Sequence, residues 1–242
     1  MLIESEKIVI MCGGKGSRMG DITSDVPKPL IEINGKTVLE YKLDNYIGQG
    51  FDELIITLGY KKKKIEDLIN SLDMKIKSKV KFSFVGEEAG ILERLHYATK
   101  NINSPVIVTY GDTITNVNLK QLLKFHVGSK NEATIVVASI INPFGLVEFN
   151  SQNKVKSFKE KPSLNYFIGY FIINPEYVHN LDPNIISLPD SNGILKVFHD
   201  LIQKEELGSY YYDGENITFN TPSELEIAKD EIINFFTLKE RI

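Results

Sequence analysis

The first half of the chain alternates two kinds of segment, and that alternation limits the folds open to it. Short β-branched runs at residues 7–12 (KIVIMC), 53–58, 80–85 and 105–110 read as buried strands. Between them lie stretches with apolar residues at helical spacing. Residues 37–47 place Val38, Leu39, Tyr41, Leu43 and Tyr46 near one face, and residues 61–72 do the same with Ile65, Leu68, Ile69 and Leu72. Residues 91–100 and 118–127 complete the series, the latter with Asn118 in the N-cap position. Such a chain is expected to form a mainly parallel α/β sheet with helices on both faces.

The second half carries more strands. Residues 133–140, 145–149, 154–159, 167–173 and 209–212 have strand patterns. Helices are expected at 175–181 and 193–204, and a closing helix at 222–236 starts on Pro222. No repeat or low-complexity tract interrupts the chain, so one domain is expected over 1–242. Its α/β half covers about 1–130 and a smaller, strand-rich half about 131–242.

Directly after the first strand stands Gly13-Gly14-Lys15-Gly16-Ser17-Arg18-Met19-Gly20. Glycines let backbone N–H groups approach an anion without a Cβ in the way, and Lys15 and Arg18 add positive charge. A polyphosphate is expected here. A P-loop needs Ser or Thr after its Gly-Lys pair, whereas Gly16 follows Lys15. A dinucleotide fingerprint fails too, because Gly14, Gly16 and Gly20 are spaced G-x-G-x-x-x-G and the second strand runs into Thr57-Leu58-Gly59 without an acid for a ribose. Eight residues beyond Met19 comes Pro27-Lys28-Pro29-Leu30, whose prolines stiffen the backbone around Lys28.

With these two motifs the chain resembles the sugar-1-phosphate nucleotidyltransferase family, whose signature G-G-x-G-x-R-[LM]…P-K-P-L is met by Gly13 to Met19 and Pro27 to Leu30. The resemblance implies a Rossmann-like (GT-A-like) nucleotidyltransferase fold. It also implies attack of an acceptor phosphate on the α-phosphorus of an NTP, and a Mg²⁺ requirement. It assigns Arg18 and Lys28 to catalysis. Cys12, Gly13, Gly14, Lys15, Gly16, Ser17, Arg18, Gly90 and Gly111 go to the nucleotide. The half at about 1–130 is then nucleotide-binding and the other half binds the acceptor.

Asp112 follows Gly111 at the end of the fourth strand, and in open α/β sheets ligands collect at the carboxyl ends of strands. A hard oxygen ligand there suits Mg²⁺. Asn220 aligns with the family's second metal ligand, where many relatives carry aspartate; a capping role for Asn220 or Thr221 at the closing helix is the alternative. Glu160-Lys161-Pro162 matches the family's E-K-P motif, which assigns Lys161 to the acceptor phosphate. His126, eight residues into its helix, is expected to pack rather than to react.

Leu58-Gly59-Tyr60-Lys61, Tyr110-Gly111-Asp112, Phe125-His126, Phe144-Gly145 and the run from Val155 to Pro162 resemble the glucose-1-phosphate cytidylyltransferase branch, which points to CTP. Departures lie on the acceptor side. Ile168-Gly169-Tyr170-Phe171 stands where that branch has Asn-Gly-Gly-Phe, and Ile168 cannot hydrogen-bond a sugar hydroxyl. Glu93 and Arg94 replace a glycine-rich segment and could pair an amino-acid ammonium and carboxylate. That profile is similar to the phosphoglutamine cytidylyltransferases of capsular phosphoramidate biosynthesis. The expected acceptor is therefore L-glutamine phosphate, bound by Lys161, Gly169, Tyr170, Glu93 and Arg94, with a sugar-1-phosphate as the alternative. A catalytically silent nucleotide-sensing subunit is the competing class, favoured only by the neutral Asn220.

Composition narrows the partners. With 28 basic and 32 acidic side chains the net charge is −4, which argues against a nucleic-acid or anionic-membrane surface. A single cysteine excludes an intramolecular disulfide. No apolar run approaches the ~20 residues that span a bilayer, and the acidic first residues do not read as a signal peptide. The expected setting is cytoplasmic, the expected partners CTP and a small phosphorylated acceptor, with a homo-oligomer compatible.

Overall fold

The computed structural model describes residues 6–16, 19–20 and 22–237. In chain order these give β1 (Lys7–Met11), α1 (Ile22–Asp25), a 3₁₀ turn (Lys28–Leu30) and a small hairpin of β2 (Glu32–Ile33) and β3 (Lys36–Thr37). There follow α2 (Val38–Gly48), β4 (Glu53–Thr57), α3 (Lys62–Ser71), α4 (Met74–Lys77), β5 (Val80–Ser83), α5 (Ile91–Ala98), β6 (Val106–Tyr110), β7 (Thr113–Thr115) and α6 (Leu119–Ser129). The remainder runs β8 (Ala133–Ile141), β9 (Leu146–Phe149), β10 (Val155–Lys159), β11 (Ser163–Ile173), α7 (Pro175–His179), α8 (Pro183–Ile186), α9 (Asn192–Gln203), β12 (Leu207–Tyr211), β13 (Asn216–Thr218) and α10 (Pro222–Thr237).

One sheet takes strands from both halves, in the order β12-β8-β11-β6-β1-β4-β5. Its neighbours are parallel except where β11 runs against both β6 and β8. The mixed, mainly parallel α/β fold expected from the alternation is the one observed. The central strands are apolar on both faces because helices cover both: Ile8, Ile10, Ile56 and Leu58 join α2 and α3 in one core, and Val9, Ile55 and Val108 join α5 and α9 in another. Helix α2 starts on a capping box, in which Thr37 accepts from the Glu40 N–H and the Glu40 carboxylate accepts from the Thr37 N–H.

Three strand boundaries differ from expectation by two residues or more; the strand expected from 209 begins at Leu207. The strand expected over 80–85 stops at Ser83. The strand expected over 167–173 begins four residues earlier, at Ser163, because an exposed ladder with β8 extends it. Gly169 sits at a break in that ladder with φ +81°. This is the left-handed region that glycine enters without a Cβ penalty. Beyond Ala138 on β8 and before Phe167 on β11 the two strands pair only with each other, among the described residues. The ribbon continues through the Asn142 N–H to Pro162 C=O bond into the β9–β10 hairpin. Residues 138–167 thus form a projecting two-stranded arm. No helix among the described residues is long and apolar enough to cross a membrane.

Candidate active site

From β1 the chain builds outward to β4 and β5, then crosses back to place β6 on the other side of β1, so the strand order reverses there. In open α/β sheets the crevice at such a switch point is where ligands bind. Here it holds a cleft of about 500 Å³, lined by Cys12 to Gly16, Lys28, Gly111, Asp112 and Asn220, with Glu87, Glu88 and Asp190 on the far wall.

The floor is built by close backbone approach. The Gly111 N–H donates to Met11 C=O, and a Cβ on Gly111 would lie 2.8 Å from that oxygen and 2.9 Å from Pro29 Cγ. Glycine is therefore what lets β6, β1 and the Pro-Lys-Pro turn meet. Gly16 adopts φ +65° and accepts from the Thr23 hydroxyl, while Gly14 has nothing within 4 Å of its Cβ position. The loop thus leaves an open backbone facing the cleft.

Lys28 lies in the 3₁₀ turn, held by the Leu30 N–H to Pro27 C=O bond, and its residue is 6% exposed. Its ammonium donates to Asp112 Oδ2 at 2.5 Å and to Asn220 Oδ1 at 3.2 Å, and stands 5.2 Å from the centre of the Phe219 ring. Three residues far apart in sequence therefore converge. The capping alternative for Asn220 falls away: Thr221 takes that role by accepting from the Glu224 N–H, leaving the Asn220 amide oxygen turned toward Lys28. Two hard oxygen donors sharing one cation fit Mg²⁺, which takes one or two protein ligands and fills the rest from phosphates and water. Among the described residues no cluster of three or more His, Cys, Asp or Glu competes for a metal.

Other expected residues stand elsewhere. Arg94 lines the cleft wall but is 5% exposed, and its guanidinium donates to the C=O groups of Leu58, Ala89 and Glu87. It supports the cleft wall instead of offering a fork to an acceptor carboxylate. Burial lowers its pKa, against the neighbouring Glu93, Glu88 and Glu87. Tyr170 is 1% exposed; its hydroxyl donates to Thr113 C=O, pairs with the Tyr46 hydroxyl and accepts from Lys42. It has no surface to give an acceptor, and neither has Ile168, 3% exposed in the main core. The substitution read as the loss of a sugar partner is a core residue.

Gly169 packs against Tyr110 behind the cleft, and Glu93 is half-buried and outside the cleft lining. Lys161, with φ +40°, is exposed midway along the arm, where the β8–β11 ribbon passes into the β9–β10 hairpin, and is also outside that lining. Gly90 precedes α5, where a Cβ would lie 2.2 Å from Leu188 C=O; its neighbours Ala89 and Ile91 line the cleft. Ser17 and Arg18 lie outside the described residues. His126 bridges Thr134 and Asn174 at 2% exposure, the packing role expected of it.

Three features escaped the sequence reading. Lys15 is paired with Glu88 at 2.8 Å, which raises its pKa through that hydrogen bond. Asp190 and Ser191 reach the cleft from a distant loop. Lys42 is 1% exposed beneath the site, bonded to Thr113 C=O and the Tyr170 hydroxyl, and burial pulls its pKa down to about 7. Burial also pushes the Cys12 thiol up to about 12, against a thiolate there, and the Cys12 N–H donates to Thr57 C=O.

Comparison with known proteins shows the family. A "Probable glucose-1-phosphate cytidylyltransferase" of Bacillus subtilis is 32% identical over 192 residues, covering 70% of this chain and 75% of that protein. The mannose-1-phosphate guanylyltransferase catalytic subunit beta of Drosophila melanogaster is 28% identical over 83% of this chain, which spans only 56% of the fly protein. The crystal structure of HddC from Yersinia pseudotuberculosis superposes with a TM-score of 0.70 at 23% identity, covering 94% of this chain and 99% of that one, a likeness of fold. The sequence profile described as "Nucleotidyl transferase" matches residues 7–236, and the chain belongs to that family.

Proposed function

We propose that this chain is a sugar-1-phosphate cytidylyltransferase, joining the CMP portion of CTP to the phosphate of a sugar-1-phosphate with release of pyrophosphate. The observation that carries it is the meeting of Lys28, Asp112 and Asn220 on the floor of the glycine-loop cleft. The choice of CTP and of a sugar acceptor is supported by the 32%-identical Bacillus subtilis relative. An amino-acid phosphate, the acceptor expected from Ile168 and Arg94, loses its support, since both side chains are committed elsewhere.

In this reading an acceptor phosphate oxygen attacks the α-phosphorus, the bond to the bridging oxygen breaks, and pyrophosphate leaves. The attacking oxygen is already ionised, so the protein supplies positioning and charge rather than a general base. Open peptide groups at Gly13 to Gly16 face the triphosphate, joined by Ser17 and Arg18. Lys28 neutralises charge on the α-phosphate. Asp112 and Asn220 would hold Mg²⁺, which when bound adds positive charge beside the phosphates. Lys161 is assigned to the acceptor phosphate.

Pyrophosphate release with Mg²⁺, crossing CTP, ATP, GTP, UTP and dTTP against glucose-1-phosphate, mannose-1-phosphate and glutamine phosphate, tests the proposal. Release with CTP and a sugar-1-phosphate is expected. Release with glutamine phosphate alone overturns the acceptor, and nucleotide binding without release in any combination overturns the enzyme.

A further inference from the structure

One face of α2 meets the strand that leads away from Asp112. Lys42 and Asn45 lie on that helix and Gln49 at its C-cap, at i, i+3 and i+7, the spacing of one helical face. Each donates to a carbonyl of alternate residues: Lys42 Nζ to Thr113 C=O, Asn45 Nδ2 to Thr115 C=O at 2.8 Å, and Gln49 Nε2 to Val117 C=O at 3.1 Å. The helix advances about 10 Å from Lys42 to Gln49, and an extended chain about 13 Å from Thr113 to Val117. The longer Lys42 and Gln49 stand at the ends and the shorter Asn45 in the middle, which takes up that difference. Gln49 also accepts from the Leu119 N–H at 2.8 Å. At the other end Thr113 pairs with Thr218 in the β7–β13 ladder, so Asp112 and Asn220 lie just beyond the same end of it.

We propose that this stripe positions the two metal donors, with Lys42 the positioning residue for Asp112; the proposal rests on the nucleotidyltransferase reading above. Lys42 is 1% exposed, and its amino group bonds to a carbonyl and a hydroxyl rather than to a carboxylate. Burying an amine without a counter-charge is costly, and an apolar side chain of the same volume would fill the space at less cost. Stability alone therefore does not call for a lysine here. What the lysine adds is a grip on the carbonyl next to Asp112. The Tyr170 hydroxyl donates to the same carbonyl at 3.1 Å and is itself held by Lys42 at 2.8 Å and by the Tyr46 hydroxyl at 2.9 Å. Tyr170 comes from β11 and Tyr46 from α2, so Thr113 is clamped from two elements. Asn45 and Gln49 then fix the register of the strand against the helix. A slip of one residue would turn these carbonyls away from α2 and carry Asp112 away from Asn220.

Two measurements on the full chain test this. Lys42→Met keeps the volume and leaves the Thr113 carbonyl to Tyr170. In this variant the Mg²⁺ concentration for half-maximal pyrophosphate release should rise roughly tenfold, the usual cost of losing a group that orients a metal ligand. KM for CTP should hold. Hydrogen–deuterium exchange of the metal-free chain should quicken several-fold over residues 111–116, where local opening is no longer resisted. Gln49→Ala loses two bonds further from Asp112, so it should lower Tm more and raise the Mg²⁺ requirement less. Should Lys42→Met fail to fold, Tyr170→Phe removes the other bond to the Thr113 carbonyl and should shift both readouts the same way. Unchanged exchange in Lys42→Met overturns the proposal, whatever the turnover. So does a Mg²⁺ requirement that stays at the wild-type value, or one that moves as far with Gln49→Ala. A wild-type chain that releases no pyrophosphate overturns the functional reading instead, and exchange then decides by itself whether Lys42 anchors the strand.

Discussion

The Lys28 ammonium lies 2.5 Å from the Asp112 carboxylate, although 84 residues separate them in the chain. Asn220 completes the contact at 3.2 Å. The lysine stands between the two oxygen donors, so the negative charge of the cleft floor is balanced from within the chain.

Lys28→Ala should lower the rate of pyrophosphate release by ~10²–10³-fold, the usual cost of removing one preorganised charge from a transition state. CTP affinity, measured by calorimetry, should change little. An unchanged rate removes the lysine from the chemistry.

Asp112→Asn keeps the shape but loses the charge that holds a hard cation. The Mg²⁺ concentration for half-maximal rate should rise by roughly tenfold or more, in line with ligand-environment substitutions elsewhere. Chelation of metal from the wild type should stop turnover, and restored Mg²⁺ should recover it. A metal titration curve identical to wild type would falsify the placement.

Arg94→Met leaves the carbonyls of Leu58, Ala89 and Glu87 without this donor. At ~1–3 kcal/mol for each buried group left unpaired, partly offset by water, urea unfolding should report a loss of about 3 kcal/mol. KM for the nucleotide should rise while KM for the acceptor holds; the reverse pattern would return Arg94 to the acceptor.

Lys42 gives a pH signature. Its folded-state pKa is lowered to about 7 by burial, while the unfolded chain keeps the ordinary value of 10.5. Between those values the unfolded state binds more protons, so this group's contribution makes the folded state more stable as pH rises. Lys42→Met removes that dependence at similar volume. The Tm of wild type relative to Lys42→Met should climb from pH 7 toward pH 10; a flat difference means the lysine does not titrate there.

Legibility followed the range of the interactions involved. The parallel sheet was readable because buried strands and amphipathic helices leave a local periodic record; the Thr37–Glu40 capping box that starts α2 was not read from the sequence. The glycine loop, Lys28, Asp112 and Asn220, singled out by the family signature, line one cleft. The β2–β3 hairpin was missed although Asn34-Gly35, with φ of +54° and +78°, carries a hairpin signal.

Other misreadings concern direction. Arg94 lines the cleft, but Ile168 and Tyr170 lie in the core; facing is decided by the bulge at Gly169 and by backbone carbonyls contributed from elsewhere. Lys15 seemed a free cation until folding brought Glu88 to it across 73 residues.

The wall behind the glycine loop has an evolutionary consequence. A Cβ on Gly13 would come within 2.5 Å of the Arg94 guanidinium, and one on Gly59 within 2.4 Å of Gly13 C=O and 2.5 Å of the same guanidinium. Positions 13, 59 and 94 therefore share a single volume allowance. A homologue with a short side chain at 94 is free to carry alanine at 13, whereas position 59 stays glycine in either case, because the Gly13 carbonyl leaves no room for a Cβ there. Across the family columns 13 and 94 should change together, and column 59 should not change.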